Sequence, residues 1–151
     1  MRNASDVVRP ATNSDAQAIA SLWIRSRQAS IPAIPKPIHS EGEIQRWVSD
    51  VLLPGGGTWL VESDDEVIAM MTLRDGWIDQ LYVDPKYVGQ GRGSSLMAHA
   101  KLLCTEGLDL WTFQSNVRAR QFYETHGFRP VSETTGDNEE GAPDVHYRWD
   151  G

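Results

Sequence analysis

The segment that most constrains this chain lies at residues 81–97, where an apolar stretch is followed by a turn and then by a helix-like pattern. The apolar stretch ends at Asp84 and Pro85, and the turn carries three glycines, Gly89, Gly91 and Gly93. This order predicts a strand, a tight turn and a helix whose first amide groups lack intrahelical partners. Such amides bind anions with the help of the helix dipole, and glycines let a phosphate approach the backbone. The segment therefore predicts a pyrophosphate-bearing ligand near residues 89–94.

Three interpretations of the glycine turn compete on its own sequence. A flexible turn before a helix accounts for most short glycine clusters. The dinucleotide-binding fingerprint is Gly-x-Gly-x-x-Gly, and here the third glycine, Gly93, comes one residue early. A phosphate loop for nucleoside triphosphates needs Gly-Lys-Ser or Gly-Lys-Thr, and the chain contains neither triplet. The choice among them depends on a second segment farther along the chain.

That second segment spans residues 110–128 and predicts another strand followed by another helix. Apolar residues alternate up to Phe113, which is typical of a strand, and Asn116 is a good helix cap. The predicted helix ends at Gly127, which suits the first position after a helix. One face of this helix carries Ala119, Phe122 and Tyr123.

Together the two segments resemble the GCN5-related N-acetyltransferase (GNAT) superfamily, whose cofactor is acetyl-coenzyme A. The family's pyrophosphate motif, Gln/Arg-x-x-Gly-x-Gly/Ala, falls on residues 88–93. The second family motif, Asn-x-x-Ala-x-x-x-Tyr-x-x-x-Gly-Phe, is matched in full by Asn116, Ala119, Tyr123, Gly127 and Phe128. Val88 stands where the family has Gln or Arg. Because backbone amides make most phosphate contacts in such a turn, we expect Val88 to weaken cofactor binding without abolishing it.

The resemblance implies an α/β (α+β) fold with a single GNAT-like domain over residues 1–151. Its mixed central sheet should have about seven strands flanked by about four helices, and the predicted order β-α-α-β-β-β-α-β-α-β-β agrees with that. A cap signal at residues 13–15 starts the first helix, and a proline-rich loop at residues 31–39 separates it from the second. The second helix is predicted to turn one apolar side toward the core, made of Ile44, Trp47, Val48 and Val51.

The resemblance assigns the cofactor to the glycine turn, to the strand before it and to the second motif. In the family this strand carries a bulge, splays from its neighbour and pairs its backbone with the pantetheine arm. A backbone amide there is expected to polarise the thioester carbonyl, as in an oxyanion hole. A side chain added at Gly91 or Gly93 should then meet phosphate and not the core. The expected cofactor-binding residues are Leu81, Tyr82, Val83, Gly89, Gln90, Gly91, Arg92, Gly93, Ser94, Asn116, Ala119, Phe122 and Tyr123.

Acetylation of an amine also requires a base for the amine and an acid for the departing thiolate. Asp79 is the candidate base, because it lies on the cofactor strand with the same parity as Leu81 and Val83. A chain of water molecules is the alternative, and Glu139 and Glu140 are weaker candidates for the base. Tyr123 aligns with the family tyrosine that protonates the thiolate of coenzyme A, and a purely packing role is its alternative.

The acceptor site is expected between the first two helices, the proline-rich loop and the loop of the last hairpin. Core packing is the alternative role for its candidate tryptophans, and a solvated surface is the alternative for its acidic pair. Nothing in the sequence selects between small amines and protein amines. The candidate substrate-binding residues are Trp23, Trp77, Glu139 and Glu140.

Composition narrows the partners and the compartment. The chain has 151 residues and a net charge of −7, so it lacks the basic footprint of a nucleic-acid binder. No apolar run reaches about 18 residues and no secretory segment opens the chain, so we expect no membrane partner. Cys104 is the only cysteine, which excludes an internal disulfide and fits the cytoplasm. The four histidines show no ligand spacing, so no metal is expected, while a homodimer is compatible with the sequence.

Two classes of function follow from these features. The first is an N-acetyltransferase that moves an acetyl group from acetyl-coenzyme A directly to a primary amine of a small molecule or protein. The second is a coenzyme A-binding sensor or interaction module without turnover. Tyr123 and Asn116 favour the enzyme, whereas Val88 leaves the module open. A transferase for longer acyl chains would differ only in the depth of its cavity.

Overall fold

The structure of the chain is a computed structural model that describes residues 6–151. Within these residues the chain forms seven strands in one mixed sheet and four α-helices, as predicted. The strands are β1 (Asp6–Pro10), β2 (Thr58–Ser63), β3 (Glu66–Arg74), β4 (Trp77–Val83), β5 (Leu108–Phe113), β6 (Arg129–Glu133) and β7 (Asp144–Trp149). The helices are α1 (Ala16–Ser30), α2 (Glu41–Trp47), α3 (Arg92–Leu103) and α4 (Val117–Thr125).

The strand order in the sheet is β1-β2-β3-β4-β5-β7-β6. The sheet is mixed, as predicted, because one pair of neighbouring strands is parallel. Strands β4 and β5 run parallel, and the other neighbouring pairs are antiparallel. Strand β3 lies at the centre of the β1–β4 half and is buried over six consecutive residues, because helices cover both of its faces. Strand β6 closes the far edge, where all five of its residues are exposed.

Helices α1 and α2 cover one face of the sheet. The turn before α1 is closed by the Asp15 carboxylate, which accepts a hydrogen bond from the Thr12 amide at 2.8 Å and pairs with Arg9 at 2.8 Å. Helix α2 begins at a capping box formed by Ser40 and Glu43. The core on this face is built from Ile19, Ala20, Leu22, Ile44, Val48, Leu52, Leu60 and Met70.

The buried side of α2 differs from its prediction at one residue. Helix α2 continues as a π-helical turn over Val48–Leu52. A π-turn adds one residue to the helical repeat, so the chain rotates relative to the predicted α-helical face. Val51 is 54% exposed, whereas Leu52 is 1% exposed and packs into the core. The prediction that Val51 faces the core is therefore wrong, and Leu52 takes its place.

Helices α3 and α4 cover the opposite face of the sheet. Leu96, Met97 and Ala100 of α3 are fully buried against strand residues that include Ile68 and Met71. Tyr123 and Phe128 bring α4 and the residues after it into the same core. The sheet thus separates an α1–α2 layer from an α3–α4 layer.

Strand β4 has a bulge and then leaves its neighbour β5. Against β3, Gln80 pairs with Thr72 and Ile78 pairs with Leu73, so Asp79 is the extra residue. Against β5, β4 pairs only through Trp77 and Ile78. A bulge bends and twists its strand, so β4 and β5 diverge beyond this point and the sheet opens.

Candidate active site

A cavity of about 780 Å³ occupies the opening between β4 and β5. Its walls come from the end of α1, from β4 and β5, from the glycine turn with the start of α3, and from α4. Most of the residues predicted to contact a cofactor therefore meet around one space. Those that line it are Leu81, Tyr82, Val83, Gly89, Gln90, Gly91, Gly93, Ser94, Asn116, Ala119, Phe122 and Tyr123.

The backbone of β4 supplies polar groups to this cavity. The amide of Asp84 donates to the carbonyl of Ile68 at 2.8 Å, so the backbone groups of Asp84 point toward β3. Since successive residues of a strand point their backbone groups to opposite edges, those of Leu81 and Val83 point toward the opening. The carbonyl of Val83 accepts a hydrogen bond from the Ser26 hydroxyl at 3.0 Å. The diverging strands thus leave an edge of β4 that an extended ligand can pair with.

The glycine turn brings bare amides to the same cavity. Gly89 and Gly91 have φ angles of 83° and 87°, in the left-handed region that favours glycine. Helix α3 begins directly after Gly91 without a side-chain cap, so its first amides have no intrahelical partner. Ser94 lies in this first turn, where its hydroxyl is 3.1 Å from Nε2 of His126. The turn therefore has the conformation and the free donors of an anion-binding loop.

Two residues of the turn act differently from their predictions. A side chain at Gly93 would place its Cβ 3.2 Å from the Phe122 ring, so this glycine allows α3 and α4 to pack closely. The prediction that a side chain there would avoid the core is wrong. The Arg92 side chain does not line the cavity, because its Nε lies 3.0 Å from a carboxylate oxygen of Asp6 and its guanidinium covers Tyr87. Arg92 can therefore contribute its backbone amide to the turn.

Tyr123 is buried in the cavity wall. Its ring packs against Phe122 and Phe128, with centroid distances of 5.5 and 5.9 Å. Among residues 6–151 no group makes a hydrogen bond with the Tyr123 hydroxyl. Burial raises the pKa of Tyr123, and the neighbouring Tyr82 raises it further. The phenol therefore stays protonated, and its hydroxyl can donate a hydrogen bond into the cavity.

Asp79 lies at the rim of the same cavity, at the bulge of β4. The bulge breaks the regular alternation of the strand, because Ile78 packs on the same face as Leu81 and Val83. The prediction that Asp79 shares a face of β4 with Leu81 and Val83 is therefore wrong. Burial raises the pKa of Asp79, Arg74 opposes the rise and Asp75 adds to it. A carboxylate with a raised pKa is a better proton acceptor than an ordinary aspartate.

Asn116 starts α4 as predicted. Its Oδ1 accepts a hydrogen bond from the Ala119 amide at 3.3 Å, and it also lines the cavity. The cap therefore orients α4 so that Ala119, Phe122 and Tyr123 face the opening.

None of the four predicted acceptor-binding residues lines the cavity. Trp23 packs against Trp47 and Tyr82, and Trp77 stacks on His146 at 5.0 Å. Both tryptophans therefore serve packing. The two glutamates join the last hairpin loop to the α1–α2 side.

The glutamate contacts are specific. A carboxylate oxygen of Glu139 is 2.5 Å from Nε2 of His39, whose pKa is raised by Glu139 and Glu43. A carboxylate oxygen of Glu140 is 3.8 Å from Nη2 of Arg27, which does line the cavity.

The structure also brings in residues that the sequence prediction missed. Arg27 continues the helical spacing set by Ala20 and Trp23 on α1, so a charged residue on an apolar face was its available signal. The others are distant in sequence and share no local pattern. The missed lining residues are Ser26, Arg27, Ala29, Ser30, Ile34, Ile78, Gln80, Pro85, Tyr87, Trp111, Thr112, Phe113 and Arg118.

Two kinds of feature are absent from residues 6–151. These residues contain no group of three or more His, Cys, Asp or Glu residues placed to hold a metal ion. None of the helices in this part of the chain is both long and apolar enough to cross a membrane.

Comparison with known proteins gives consistent matches. A family model for the acetyltransferase (GNAT) domain matches residues 54–130, more than half of the chain. Peptidyl-lysine N-acetyltransferase YjaB of Salmonella typhimurium is 29% identical over 132 residues, covering 87% of this chain and 88% of that protein. The solution structure of apo YjaB from Escherichia coli superposes with a TM-score of 0.79 at 23% identity, covering 97% and 98% of the two chains.

A fourth match includes the cofactor. The PaiA N-acetyltransferase of Thermoplasma acidophilum, in complex with coenzyme A, superposes with a TM-score of 0.74 at 16% identity. The superposition covers 97% of this chain and 99% of that one.

Proposed function

Because this chain belongs to the acetyltransferase (GNAT) family, we propose that it transfers an acetyl group from acetyl-coenzyme A directly to a primary amine. The observation that carries the proposal is the meeting of the open β4 edge, the bare amides of the glycine turn and the Tyr123 hydroxyl in one cavity. The acceptor is an amine of a small molecule or of a protein. The lone Cys104 supports a cytoplasmic setting for this reaction.

The residues present fit the cofactor. The first amides of α3 and the left-handed Gly89 and Gly91 would hold its pyrophosphate. The edge of β4 at Leu81 and Val83 would pair with the pantetheine arm and direct an amide at the thioester carbonyl. Acetyl-coenzyme A would supply the activated acetyl group. Val88 adds no charge to this site, so the backbone provides most of the binding.

Proton transfer is assigned to two side chains of the cavity. Asp79 at the rim accepts the proton of the incoming ammonium, directly or through water. Tyr123 keeps its proton because of burial and gives it to the departing thiolate, and the second proton that the nitrogen loses as the amide forms restores the phenol. The free Tyr123 hydroxyl favours this role, since a tyrosine present only for packing usually finds a hydrogen-bond partner when buried.

The acceptor side is assigned to the end of α1 and the last hairpin loop. Glu140 contacts Arg27 and Glu139 contacts His39, and together these contacts join the last hairpin loop to α1 and to the proline-rich loop. Trp23 packs against Arg27, and the guanidinium carbon lies 5.0 Å from the centroid of the Trp23 ring. We propose that Trp23, Glu139 and Glu140 shape the acceptor site through these neighbours. We propose that Trp77 also shapes the acceptor site, because it is the first residue of β4.

The test is thiol release from acetyl-coenzyme A with a panel of amines, followed by mass spectrometry of the product. The panel should contain polyamines, amino acids, aminoglycosides and lysine-containing peptides. Amine-dependent thiol release with a product one acetyl group heavier supports the transferase. Tight binding of coenzyme A without turnover of any amine would replace it by the non-catalytic module, and faster release from longer acyl-coenzyme A would change the donor.

A further inference from the structure

Arg27 is a buried cation in the wall of the acceptor side. The residue is 8% exposed, and its Nε is fully buried without a hydrogen-bond partner among residues 6–151. A guanidinium has five N–H donors in a planar fork, and a buried donor that is left unpaired destabilises the protein. The fold therefore keeps an incompletely satisfied cation beside the cavity.

The neighbours of Arg27 balance its charge but leave its Nε without an acceptor among residues 6–151. The nearest carboxylate oxygen, from Glu140, lies 3.8 Å from Nη2, which is beyond hydrogen-bond distance. The Trp23 ring stabilises the cation through its face, and a ring face accepts no ordinary hydrogen bond. The guanidinium also makes a side-chain hydrogen bond with the Tyr82 phenol, which leaves Nε as the donor without a partner. An anionic group with two oxygens would complete this arrangement, because a carboxylate matches the guanidinium fork.

The position of Arg27 relates this anion to the reaction. Arg27 and Tyr82 line the same cavity as Tyr123. Arg27 comes from the α1–α2 layer, whereas the glycine turn and Tyr123 belong to the α3–α4 side. The anion would therefore arrive with the acceptor and not with the pyrophosphate of the cofactor.

We propose that the acceptor amine carries a carboxylate and that Arg27 binds it. This inference rests on the proposed acetyltransferase function and narrows its substrate to amino-acid-like amines. Arg27 holds the carboxylate through its fork, which places the amine of the same molecule near the thioester. A bidentate guanidinium contact also explains why the site uses an arginine here and not a lysine.

The first experiment compares acceptors that differ only at the carboxylate. One pair is Nα-acetyl-L-lysine and its methylamide, which share the same ε-amine. The other pair is L-phenylalanine and 2-phenylethylamine, which tests an α-amine. We expect kcat/KM to be about 10- to 100-fold higher for the carboxylate member of at least one pair, because one charge-assisted contact is lost in the other member. Equal or higher activity with the neutral members, including lysine within a peptide, overturns the inference.

The second experiment removes the cation. In the pair that shows a preference, Arg27→Gln should bring the ratio of the two kcat/KM values close to one while acetyl-coenzyme A binding is kept. Arg27→Lys should retain part of the preference. Arg46→Gln makes the same charge change at an exposed position of α2 and is the matched control. Glu140→Gln breaks the same ion pair from the other side and should keep the preference. If Arg27→Gln and Glu140→Gln act alike, Arg27 is a structural partner of Glu140 and the inference fails.

A binding measurement separates this inference from the proposed function. Isothermal titration of the coenzyme A-loaded protein with Nα-acetyl-L-lysine and with its methylamide requires no turnover. Tighter binding of the carboxylate member that disappears in Arg27→Gln supports the anion site even if no amine is acetylated. The same titration is made with L-phenylalanine and 2-phenylethylamine. Equal binding of the two members in both pairs overturns the inference, whatever the outcome of the amine panel.

Discussion

At the scale of single residues, the proposed chemistry depends on the phenol of Tyr123. Tyr123 packs among aromatic rings, and its hydroxyl has no partner among residues 6–151. Removing that hydroxyl should therefore cost no internal hydrogen bond. We predict that Tyr123→Phe folds normally and lowers kcat by about 10²- to 10⁴-fold, while the KM for acetyl-coenzyme A changes little. Single-turnover rates should be measured, because slow product release would hide part of the loss.

Tyr147 provides the matched control for this substitution. Its hydroxyl donates to Glu124 at 2.5 Å and accepts from Nε of Arg120 at 3.0 Å, away from the cavity. Tyr147→Phe should lower the free energy of unfolding by about 1–3 kcal/mol, because it removes two hydrogen bonds that the buried Tyr147 makes with charged side chains. The single-turnover rate of acetyl transfer by the Tyr147→Phe variant should stay near that of the wild-type protein. Full activity of Tyr123→Phe would return Tyr123 to packing and leave the thiolate to be protonated by solvent.

The second residue-scale prediction concerns the pH dependence set by Asp79. An ammonium acceptor and the base must each lose a proton, so log kcat/KM should rise with a slope of two below the pKa of Asp79 and a slope of one above it. Because burial raises that pKa, the change in slope should lie above the ordinary aspartate value of about 3.9. Asp79→Asn should remove the steeper part and slow the reaction at neutral pH.

Asp75 offers a way to move this change in slope without touching the base. The negative charge of Asp75 raises the pKa of Asp79, so Asp75→Asn should shift the change to lower pH. Asp75 has a φ of 52°, a conformation that asparagine also tolerates. An unchanged profile in Asp79→Asn would mean that another group or a water chain deprotonates the amine.

At the scale of elements, the glycine turn can be tested against a turn of equal strain. Gly89 and Gly56 have φ angles of 83° and 75°, and a Cβ added to either would meet no atom within 4 Å. Alanine at either position should therefore lower the free energy of unfolding by a similar amount, about 1–2 kcal/mol, through backbone strain. We predict that Gly89→Ala also weakens acetyl-coenzyme A binding, whereas Gly56→Ala does not. Calorimetric titration of both variants measures this, and equal affinities would move the pyrophosphate away from the turn.

The elements that could be predicted from the sequence are those whose signals are local. The glycine turn, the Asn116 cap and the strands around them each follow from a few adjacent residues. The π-turn after α2 was missed, since nothing near Val51 and Leu52 indicates an extra residue in the helical repeat. The bulge at Asp79 was expected only from the family resemblance, and its effect on parity was not foreseen.

Contacts between distant segments explain the remaining differences. Arg92 turns from the cavity because β1 places Asp6 beside it, and Gly93 packs against Phe122 of a later helix. Arg27 joins the cavity only when α1 lies along the open side of β4. Such pairs depend on the packing of whole elements, and no spacing along the chain reports them.

At the scale of the whole molecule, the opening between β4 and β5 joins two layers with different tasks. The α3–α4 side presents bare amides and Tyr123, whereas the α1 side presents Arg27. The bulge at Asp79 lies where the two strands part, so one irregularity opens the sheet and places a carboxylate at the rim. A ligand that runs along β4 must therefore bridge both layers and stabilise their packing.

The last prediction follows from this bridging. A ligand bound only to the folded protein adds about 2.7 kcal/mol at 100 times its dissociation constant. For a chain of this size we predict that saturating acetyl-coenzyme A raises the melting temperature by several degrees. NAD and ATP also carry phosphates but lack a pantetheine arm to pair with β4, so they should produce much smaller shifts. The same applies to adenosine 3′,5′-bisphosphate, the nucleotide part of the cofactor without its arm. Thermal unfolding with each ligand at equal concentration tests this. A shift with NAD as large as that with acetyl-coenzyme A would mean that the turn alone binds phosphate and that the opened sheet does not hold an acyl carrier.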